Sequence, residues 1–359
     1  MALMRPRERV LAALHHQQPD RVPLFYRATE EVTDCLIRHF GAAGLDDVLE
    51  LLHVDFRFIQ TPYIGPPRVP DAKGVIVDYW GIPRRRVHTA TGSYMEPVCY
   101  PLAEARTPAE VRAHPWPKVE WFDFSAVREQ MTRYTEYATM PAAGIGCDSP
   151  LGIMPELRGM ENLLIDLVER REMFRAIVAE MMRFRREYLR AFLPHARGLI
   201  FLRVGEDFGS QHGLLFSPRI WDECIRPYFV ELVQQAHKHG IYLYLHSCGA
   251  VRDLIPRLIA VGVDVLDPLQ VGARGMEPAA LKREFGARLT FCGGVDLQRL
   301  LSRGKPDDVR AGVRDLIRVM APGGGFILGP THNLQTDVPI GNIIAMYEAG
   351  VSFGTYVYG

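Results

Sequence analysis

His246 and Cys248 form the pair in this sequence that is best suited to metal chemistry. They follow an unbroken apolar run at residues 241–245, after an abrupt change to polar residues. A run of this length is typical of a strand buried on both faces of a parallel sheet, and residues two apart on a strand point to the same side. An imidazole and a thiol that project together favour a metal ion, with zinc as the first choice. A buried histidine and a buried free cysteine, both common in cores, are the alternative interpretation.

The elements that would position this pair alternate regularly along the chain. We predict a helical segment after each of eight strands, which cover residues 21–26, 54–59, 139–147, 198–204, 241–246, 263–266, 288–292 and 326–328. This order predicts an α/β fold of the (β/α)8 TIM barrel type. A doubly wound open sheet is the alternative, but no GxGxxG motif follows the first strand.

The chain is longer than one barrel requires, and the additional residues can be assigned to two segments of the same domain. A barrel takes roughly 250 residues. An N-terminal helix at residues 5–16 and an insertion at residues 60–122, after the second strand, complete a single predicted domain at residues 1–359. The insertion contains ten prolines, which exclude long helices and favour turns and short edge strands. Two separate domains are the alternative that the length allows.

The insertion also carries aromatic and basic residues that bear on ligand binding. Its aromatic candidates for the wall of a substrate pocket, each of which packing alone would also explain, are Tyr63, Tyr79, Trp80 and Tyr94. The three consecutive arginines at residues 84–86 are either a solvated turn or a contact for a carboxylate-bearing ligand.

A barrel predicts where the chemistry lies, because its active site is built at the C-terminal ends of the strands. The polar residues and cysteines at or near those predicted ends are Asp55, Arg57, Asp148, Glu206, Asp207, His246, Cys248, Asp267, Gln270, Cys292, Asp296, Thr331, His332 and Asn333. Either Glu206 or Asp207 could add an oxygen ligand to the histidine–cysteine pair, and His332 could add a second nitrogen. One carboxylate, two histidines and one cysteine are an acceptable ligand set for zinc. Cys292 lies inside an apolar strand, where packing explains it better.

Composition excludes several classes of partner. The 42 basic residues equal the 42 acidic ones, so there is no global electrostatic argument for nucleic acid or an anionic membrane. Six scattered cysteines without a CxxC motif indicate reduced thiols in the cytoplasm. The N-terminal residues do not form a signal peptide, and no apolar run approaches the roughly 18 residues of a spanning helix. The sequence leaves the oligomeric state open, with a homodimer as one option.

Several motifs along the chain resemble the uroporphyrinogen decarboxylase superfamily, a barrel family that also contains corrinoid-dependent methyltransferases. They span nearly the whole chain and lie at residues 6–14, 19–23, 246–249, 262–264, 291–296, 329–333 and 339–342. Within this superfamily the zinc methyltransferases carry His-x-Cys after the fifth strand, which His246 and Cys248 match. They carry a further cysteine before the last helix, and by spacing that position is His332 here.

The resemblance to the true decarboxylases is poorer. They follow Asp-Arg-Val-Pro with a substrate-binding segment, Met-Arg-Gln-Ala-Gly-Arg, whereas residues 25–30 here read Phe-Tyr-Arg-Ala-Thr-Glu. The histidine at position 332 also departs from the methyltransferases in which thiolate-rich zinc activates a thiol. It is more in keeping with relatives that demethylate methoxylated aromatics or methylated amines.

The resemblance therefore implies a zinc-dependent methyltransferase that uses a corrinoid cofactor. It would move a methyl group from a small O-methyl or N-methyl substrate, a methoxylated aromatic first, to a cobalamin carried by a corrinoid protein. We expect Asp207 and Asp55 to be catalytic, Arg57, Tyr63 and Tyr79 to bind the substrate, and His246, Cys248, His332 and Glu206 to bind zinc. A uroporphyrinogen decarboxylase of haem biosynthesis and a non-catalytic barrel that binds a tetrapyrrole or corrinoid are the alternatives.

Overall fold

The structure, a computed structural model, describes residues 3–142 and 149–355. Its strands are β1 (Phe56–Ile59), β2 (Val75–Val77), β3 (Pro83–Thr89), β4 (Gly92–Pro97), β5 (Ala138–Pro141), β6 (Phe201–Gly205), β7 (Tyr242–His246), β8 (Val265–Leu269), β9 (Thr290–Val295) and β10 (Phe326–Pro330). Its helices are α1 (Pro6–Leu14), α2 (Glu30–Phe40), α3 (Leu45–Leu51), α4 (Pro108–Ala113), α5 (Ser125–Arg133), α6 (Pro150–Arg158), α7 (Met160–Val168), α8 (Arg171–Phe192), α9 (Pro218–Ile220), α10 (Arg226–His237), α11 (Ile255–Val261), α12 (Pro278–Phe285), α13 (Pro306–Met320) and α14 (Ile340–Gly354).

Eight parallel segments close into a barrel. β6 to β10 form one parallel sheet in chain order, and β1 pairs in parallel with β5. The amide of Ile200 donates to the carbonyl of Thr139 over 3.2 Å and joins the two sheets. The first barrel segment lies around Leu24, which bridges Leu328 of β10 in parallel and accepts a hydrogen bond from the amide of Asp55 next to β1. The (β/α)8 barrel predicted from the order of elements is confirmed.

A ring of four aromatic side chains fills the middle of the barrel. Phe25 lies 5.2 Å from Phe56, Phe56 lies 5.7 Å from Phe201, and Tyr244 lies 5.6 Å from Phe201 and 5.9 Å from Phe25, all measured between ring centroids. All four are fully or almost fully buried. Contacts between four different strands show that these side chains face the barrel interior, where packed aromatics contribute most of the burial.

The next inward-facing layer is polar. Side chains alternate along a strand, so the residues two positions beyond the aromatic ring also face the interior, one step closer to the C-terminal mouth. On three of the strands these are Arg27, Arg203 and His246. His246 pairs in register with Asp267 of β8. The sequence thus changes from an apolar layer to a charged layer at the depth where barrel enzymes build their sites.

The insertion predicted at residues 60–122 contains a three-stranded antiparallel sheet in the order β2–β3–β4 and the short helix α4. Tyr63 and Tyr79 contact Phe122 at 5.6 and 6.0 Å, and Phe122 contacts Phe184 of α8 at 6.1 Å between ring centroids. The aromatic side chains of this segment therefore anchor it on α8. Within the described residues, no helix has the length and apolar character needed to span a membrane.

Candidate metal centre

Three residues meet at the C-terminal mouth with side chains that suit a metal ion. His246 is the last residue of β7, Cys248 lies two residues beyond it, and His332 lies in the loop after β10. One ligand atom of each lies within 4.8 Å of the others. Sγ of Cys248 is 3.5 Å from Nε2 of His246, and the two imidazole rings are 6.2 Å apart between centroids. The structure thus brings together three of the four residues predicted to bind zinc.

The turn after β7 is shaped by Gly249 and by contacts with its neighbours. Gly249 has φ 90°, and a Cβ at this position would lie 2.5 Å from the backbone of Gly209, so a side chain here would clash as well as strain the backbone. The carboxylate of Asp207 accepts a hydrogen bond from the amide of Cys248 over 2.9 Å. Gln270 accepts one from the amide of Gly249 over 2.7 Å. These contacts fix the backbone that carries the thiol.

A buried carboxylate orients the first histidine. Nδ1 of His246 lies 2.8 Å from Oδ2 of Asp267 and 2.9 Å from Nη1 of Arg27, and Nη1 of Arg27 donates to the same oxygen over 2.8 Å. Because an ionised carboxylate only accepts hydrogen bonds, Nδ1 is the donor to Asp267. Burial opposes ionisation of Asp267, but Arg27 and the hydrogen bond from His246 outweigh it and hold the pKa of this carboxyl well below its usual range. With Nδ1 committed to a carboxylate, Nε2 is left as the ligand atom, which is the usual arrangement around a metal-binding histidine.

The electrostatics keep both imidazoles neutral, as metal binding requires. Burial, assisted by Arg27, lowers the pKa of His246 from its ordinary value. His332 is exposed at the mouth, and partial loss of hydration, with Arg27 acting in the same direction, lowers its pKa from the ordinary value. Burial and then Asp207 raise the pKa of the Cys248 thiol to about 12. This thiol stays protonated until a cation displaces the proton.

The donor set fits zinc. Two neutral imidazoles and one thiol that ionises on binding are ordinary zinc ligands. Three protein ligands that leave one coordination position open are typical of catalytic rather than structural zinc sites. His246, Cys248 and His332 could therefore hold a zinc ion and leave one coordination position for a further ligand.

Glu206 does not lie with these three residues. It follows Gly205, which pairs in register with His246. Its carboxylate accepts hydrogen bonds from the amide of Leu151 over 2.9 Å and from the hydroxyl of Tyr228 over 3.3 Å. Complete burial raises the pKa of Glu206 to about 8, so it is neutral near pH 7. Because it sits between the start of α6 and Tyr228, the structure does not bring it to the metal ligands.

Asp55 lies away from the mouth, whereas Arg57 lines the cavity of about 900 Å³ together with Arg27 and Arg203. Asp55 precedes β1 at the N-terminal end of the barrel, is fully buried, and forms ion pairs with Arg9 at 2.5 Å and Arg21 at 2.8 Å. Arg57 alternates with the inward-facing Phe56, and its guanidinium lies 3.7 Å above the ring of Tyr137. The contacts of Asp55 are those of a structural residue at the opposite end of the barrel, so we do not carry forward a catalytic role for it. Substrate binding by Arg57 stays a prediction.

The other residues singled out from the sequence have varied positions. Tyr63 and Tyr79 belong to the aromatic cluster on α8 described above, and Arg84 is paired with Asp78 and Glu156. Cys292 is buried and accepts a hydrogen bond from the hydroxyl of Tyr244 over 3.2 Å, as expected for packing. Asp148 lies outside the described residues.

Two cavities are lined by the metal-ligand candidates, and a third shares Arg203 with the first of them. His246 lines one of about 420 Å³, whose wall is largely apolar side chains of α6 and α7. Cys248 and His332 line a second of about 440 Å³, which is richer in polar side chains. A third of about 900 Å³ reaches Arg27 and Arg203 from the other side. The centre is thus accessible from more than one direction.

Arg203 is the residue at this site that the sequence analysis missed. It lines both the apolar cavity and the largest cavity. From the sequence it was interpreted only as part of the strand that precedes Glu206. Its signal is a charged residue two positions after Phe201 in an otherwise apolar strand, a spacing that puts both side chains on the same face.

Comparisons with known proteins agree with this architecture. Residues 98–352 match the family model described as uroporphyrinogen decarboxylase (URO-D). No curated protein sequence matches the chain. A methyltransferase from Methanosarcina mazei has a similar structure, with a TM-score of 0.66 and 17% identity over 98% of this chain and 99% of that chain. At that identity the likeness supports the fold alone.

A second solved structure is more distant. It is a B12-independent methionine synthase from Shewanella sp. W3-18-1 in complex with selenomethionine, with a TM-score of 0.45 and 10% identity over 94% of each chain. No argument rests on a likeness this low. The family match, in contrast, covers well over half of the chain and includes β5 to β10 with all three metal-ligand candidates. The chain belongs to the uroporphyrinogen decarboxylase family.

Proposed function

We propose that this protein is a zinc-dependent methyltransferase that moves a methyl group from a small O-methyl or N-methyl compound to a corrinoid carried by a partner protein. The observation that carries the proposal is the convergence of His246, Cys248 and His332 within 4.8 Å at the barrel mouth. Their chemistry suits a catalytic zinc ion with one open position. The resemblance of His246 and Cys248 to the His-x-Cys motif of the zinc methyltransferases supports the same reaction.

The protein residues would divide the work as follows. His246, Cys248 and His332 would hold the ion, which when bound supplies Lewis acidity at the heteroatom that carries the methyl group. Asp267 holds His246 in the tautomer that presents Nε2. Asp207 lines the apolar cavity and fixes the backbone of Cys248, and we assign to it the transfer of a proton from solvent to the leaving heteroatom. The apolar wall of the cavity would exclude water from the methyl group.

The experiment is a methyl-transfer assay with the zinc-loaded protein. Reduced cob(I)alamin is mixed with a panel of methoxylated aromatics and methylated amines, and methylcobalamin is followed by its absorption spectrum. We expect product only when protein, zinc and a productive donor are all present. The Cys248→Ala variant, checked for folding by circular dichroism, is expected to give none. A zinc-replete protein that yields no methylcobalamin with any donor of either class would contradict the proposal.

The two alternative functions can be tested with the same purified protein. A decarboxylase would convert uroporphyrinogen without needing His246 and Cys248 as metal ligands. A non-catalytic barrel would bind a tetrapyrrole or corrinoid and leave every donor unchanged. Product analysis with uroporphyrinogen and with cob(I)alamin separates both from a methyltransferase.

A further inference from the structure

Arg203 is a cation beside the metal ligands that has no assigned task. It is on β6, in register with Tyr244 and two residues before the partner of His246. It also lines the same cavity as His246. The residue is therefore placed to influence whatever binds next to His246.

Arg203 lacks a counterion in the parts of the chain that the structure describes. Within those parts, no carboxylate lies within ion-pair distance of its guanidinium, and its buried Nε has no hydrogen-bond partner. Arg27 differs in having a counterion, because its Nη1 donates to Asp267, although its Nε and Nη2 are also buried without partners. Arg203 is half-buried and lines two cavities. An anion that entered the adjoining cavity could accept hydrogen bonds from its guanidinium.

The carboxylates that line the apolar cavity already have partners. Glu156 is paired with Arg84, and Asp207 accepts the hydrogen bond from the amide of Cys248. Neither is within ion-pair distance of Arg203. The cavity therefore presents one positive charge that its own acidic residues do not pair.

The rest of the cavity suits an apolar body. Its volume is about 420 Å³, at the small end of the range for ligand pockets. Apolar side chains make up most of its wall, among them Leu151, Pro155, Leu163, Leu167 and Phe216. His246 and Arg203 both line it. One ligand could therefore contact the metal centre and the arginine while its apolar part fills the space between α6 and α7.

We propose that Arg203 is a specificity-determining residue that binds the anionic group of the methyl donor, and that the donor is a carboxylate-bearing methyl ether with an apolar body. This inference rests on the proposed function, because it names the donor of that reaction. A methylammonium compound without an acidic group would meet Arg203 and the metal ion as like charges. A carboxylate can instead accept two parallel hydrogen bonds from one guanidinium.

The test measures binding rather than turnover. Isothermal titration calorimetry compares 4-methoxybenzoate with its neutral analogue 4-methoxybenzamide and with tetramethylammonium, on the protein with and without zinc. We expect the benzoate to bind about 10- to 100-fold more tightly than the amide, as for a hydrogen bond to a charged group. Tetramethylammonium is expected to bind more weakly than both. Equal affinity for benzoate and benzamide, or preference for the ammonium ion, would overturn the inference.

Variants assign the effect to Arg203. Arg203→Met should abolish the preference for the benzoate and leave affinity for the amide unchanged, and Arg203→Lys should keep part of it, because lysine keeps the charge but not the planar fork. Arg318→Met, at an exposed arginine of α13, is the matched control and should behave as the unmutated protein. If Arg203→Met does not fold, Arg203→Lys and the ligand pair on the unmutated protein decide. A preference that survives Arg203→Met would refute the assignment.

The two proposals can fail separately. A preference for benzoate that depends on Arg203, with no methylcobalamin formed, would leave the anion site standing and reject the methyl transfer. Methyl transfer from neutral ethers or amines, with no preference for benzoate in binding, would support the methyltransferase and reject the anion site at Arg203.

Discussion

His246 Nδ1 and Asp267 Oδ2 are 2.8 Å apart at the barrel mouth, and Asp267 is fully buried. The carboxylate fixes the ring of a metal-ligand candidate and is itself held by Arg27. A carboxylate in this position raises the basicity of the histidine as a ligand. Through Asp267 of β8, Arg27 of the first barrel segment thus supports the proposed zinc centre.

We predict that Asp267→Asn weakens zinc binding by about 10- to 100-fold, the usual effect of removing the residue that orients a ligand. The asparagine keeps the size of the side chain but not its charge. Competition with a zinc-sensing chelator measures the dissociation constant. Asp264→Asn is the matched control, because Asp264 pairs with His237 away from the metal ligands, and should leave zinc affinity unchanged. An Asp267→Asn variant with unmutated affinity would show that Asp267 does not support the centre.

Zinc affinity should rise with pH, by about tenfold per unit between pH 7 and 8.5. The pKa of Cys248 is raised to about 12, so binding displaces one proton throughout this range. The lowered pKa values of His246 and His332 mean that neither imidazole releases a proton above pH 7. The same chelator titration at several pH values gives the slope.

Cys248→Ala is the control for that slope. It removes the one titrating ligand, so the variant should bind zinc more weakly and show no pH dependence above pH 7. A flat profile for the unmutated protein over this range would mean that the thiol is not a ligand.

Glu206→Gln should stabilise the protein at alkaline pH and leave its zinc content unchanged. Burial raises the folded-state pKa of Glu206 to about 8, above the ordinary value near 4.3 for an unfolded chain. The folded state therefore holds the proton of Glu206 more tightly than the unfolded chain does. The stability that this proton contributes is fully present below the unfolded pKa and is lost as the pH rises through about 8. Glutamine keeps the carbonyl acceptor for Leu151 without ionising.

Denaturant unfolding at pH 6 and pH 9 measures the effect. The advantage of Glu206→Gln should grow to a few kcal/mol between these values, since each pKa unit corresponds to about 1.4 kcal/mol. Loss of zinc from the variant would instead restore Glu206 as the fourth ligand that the sequence suggested.

The protein should not convert uroporphyrinogen to coproporphyrinogen. The four acetate groups of that substrate require several cations. The arginines that line the cavity of about 900 Å³ are Arg27, Arg57, Arg133 and Arg203. Arg27 is paired with Asp267, and Arg57 and Arg133 lie at Asp46, which leaves Arg203 as the one without an acidic partner among the described residues. Chromatography of the porphyrins after incubation is the check. Any coproporphyrinogen formed above the level of a heat-inactivated sample would favour the decarboxylase alternative.

The sequence predicted the parts of the site that depend on local pattern. The abrupt end of an apolar strand located His246 and Cys248, and spacing from the last helix located His332. The partnership of Arg27 with Asp267 spans 240 positions and depends on how the barrel closes, so no local pattern could reveal it.

The misplaced residues have separate causes. Asp55 is the second residue of the strand predicted at residues 54–59 and precedes β1, which begins at Phe56. It therefore lies at the opposite end from the mouth and was wrongly counted among the residues of the C-terminal ends. Glu206 was assigned to the ligands by its nearness in sequence to the strand end. Its side chain follows the inward position of Gly205 and so contacts α6 instead. Arg203 occupies an inward-facing position of its strand. It was not predicted as a site residue, because only the apolar residues of that strand were considered.

X-ray absorption at the zinc edge tests the central claim most directly. The protein as purified, with its zinc content measured by mass spectrometry, should contain one zinc per chain. Its spectrum should show one sulfur at about 2.3 Å and two imidazole nitrogens at about 2.0–2.1 Å, and the sulfur contribution should disappear in Cys248→Ala. A protein without stoichiometric metal, or a zinc shell with no sulfur or with more than one, would contradict the centre formed by His246, Cys248 and His332.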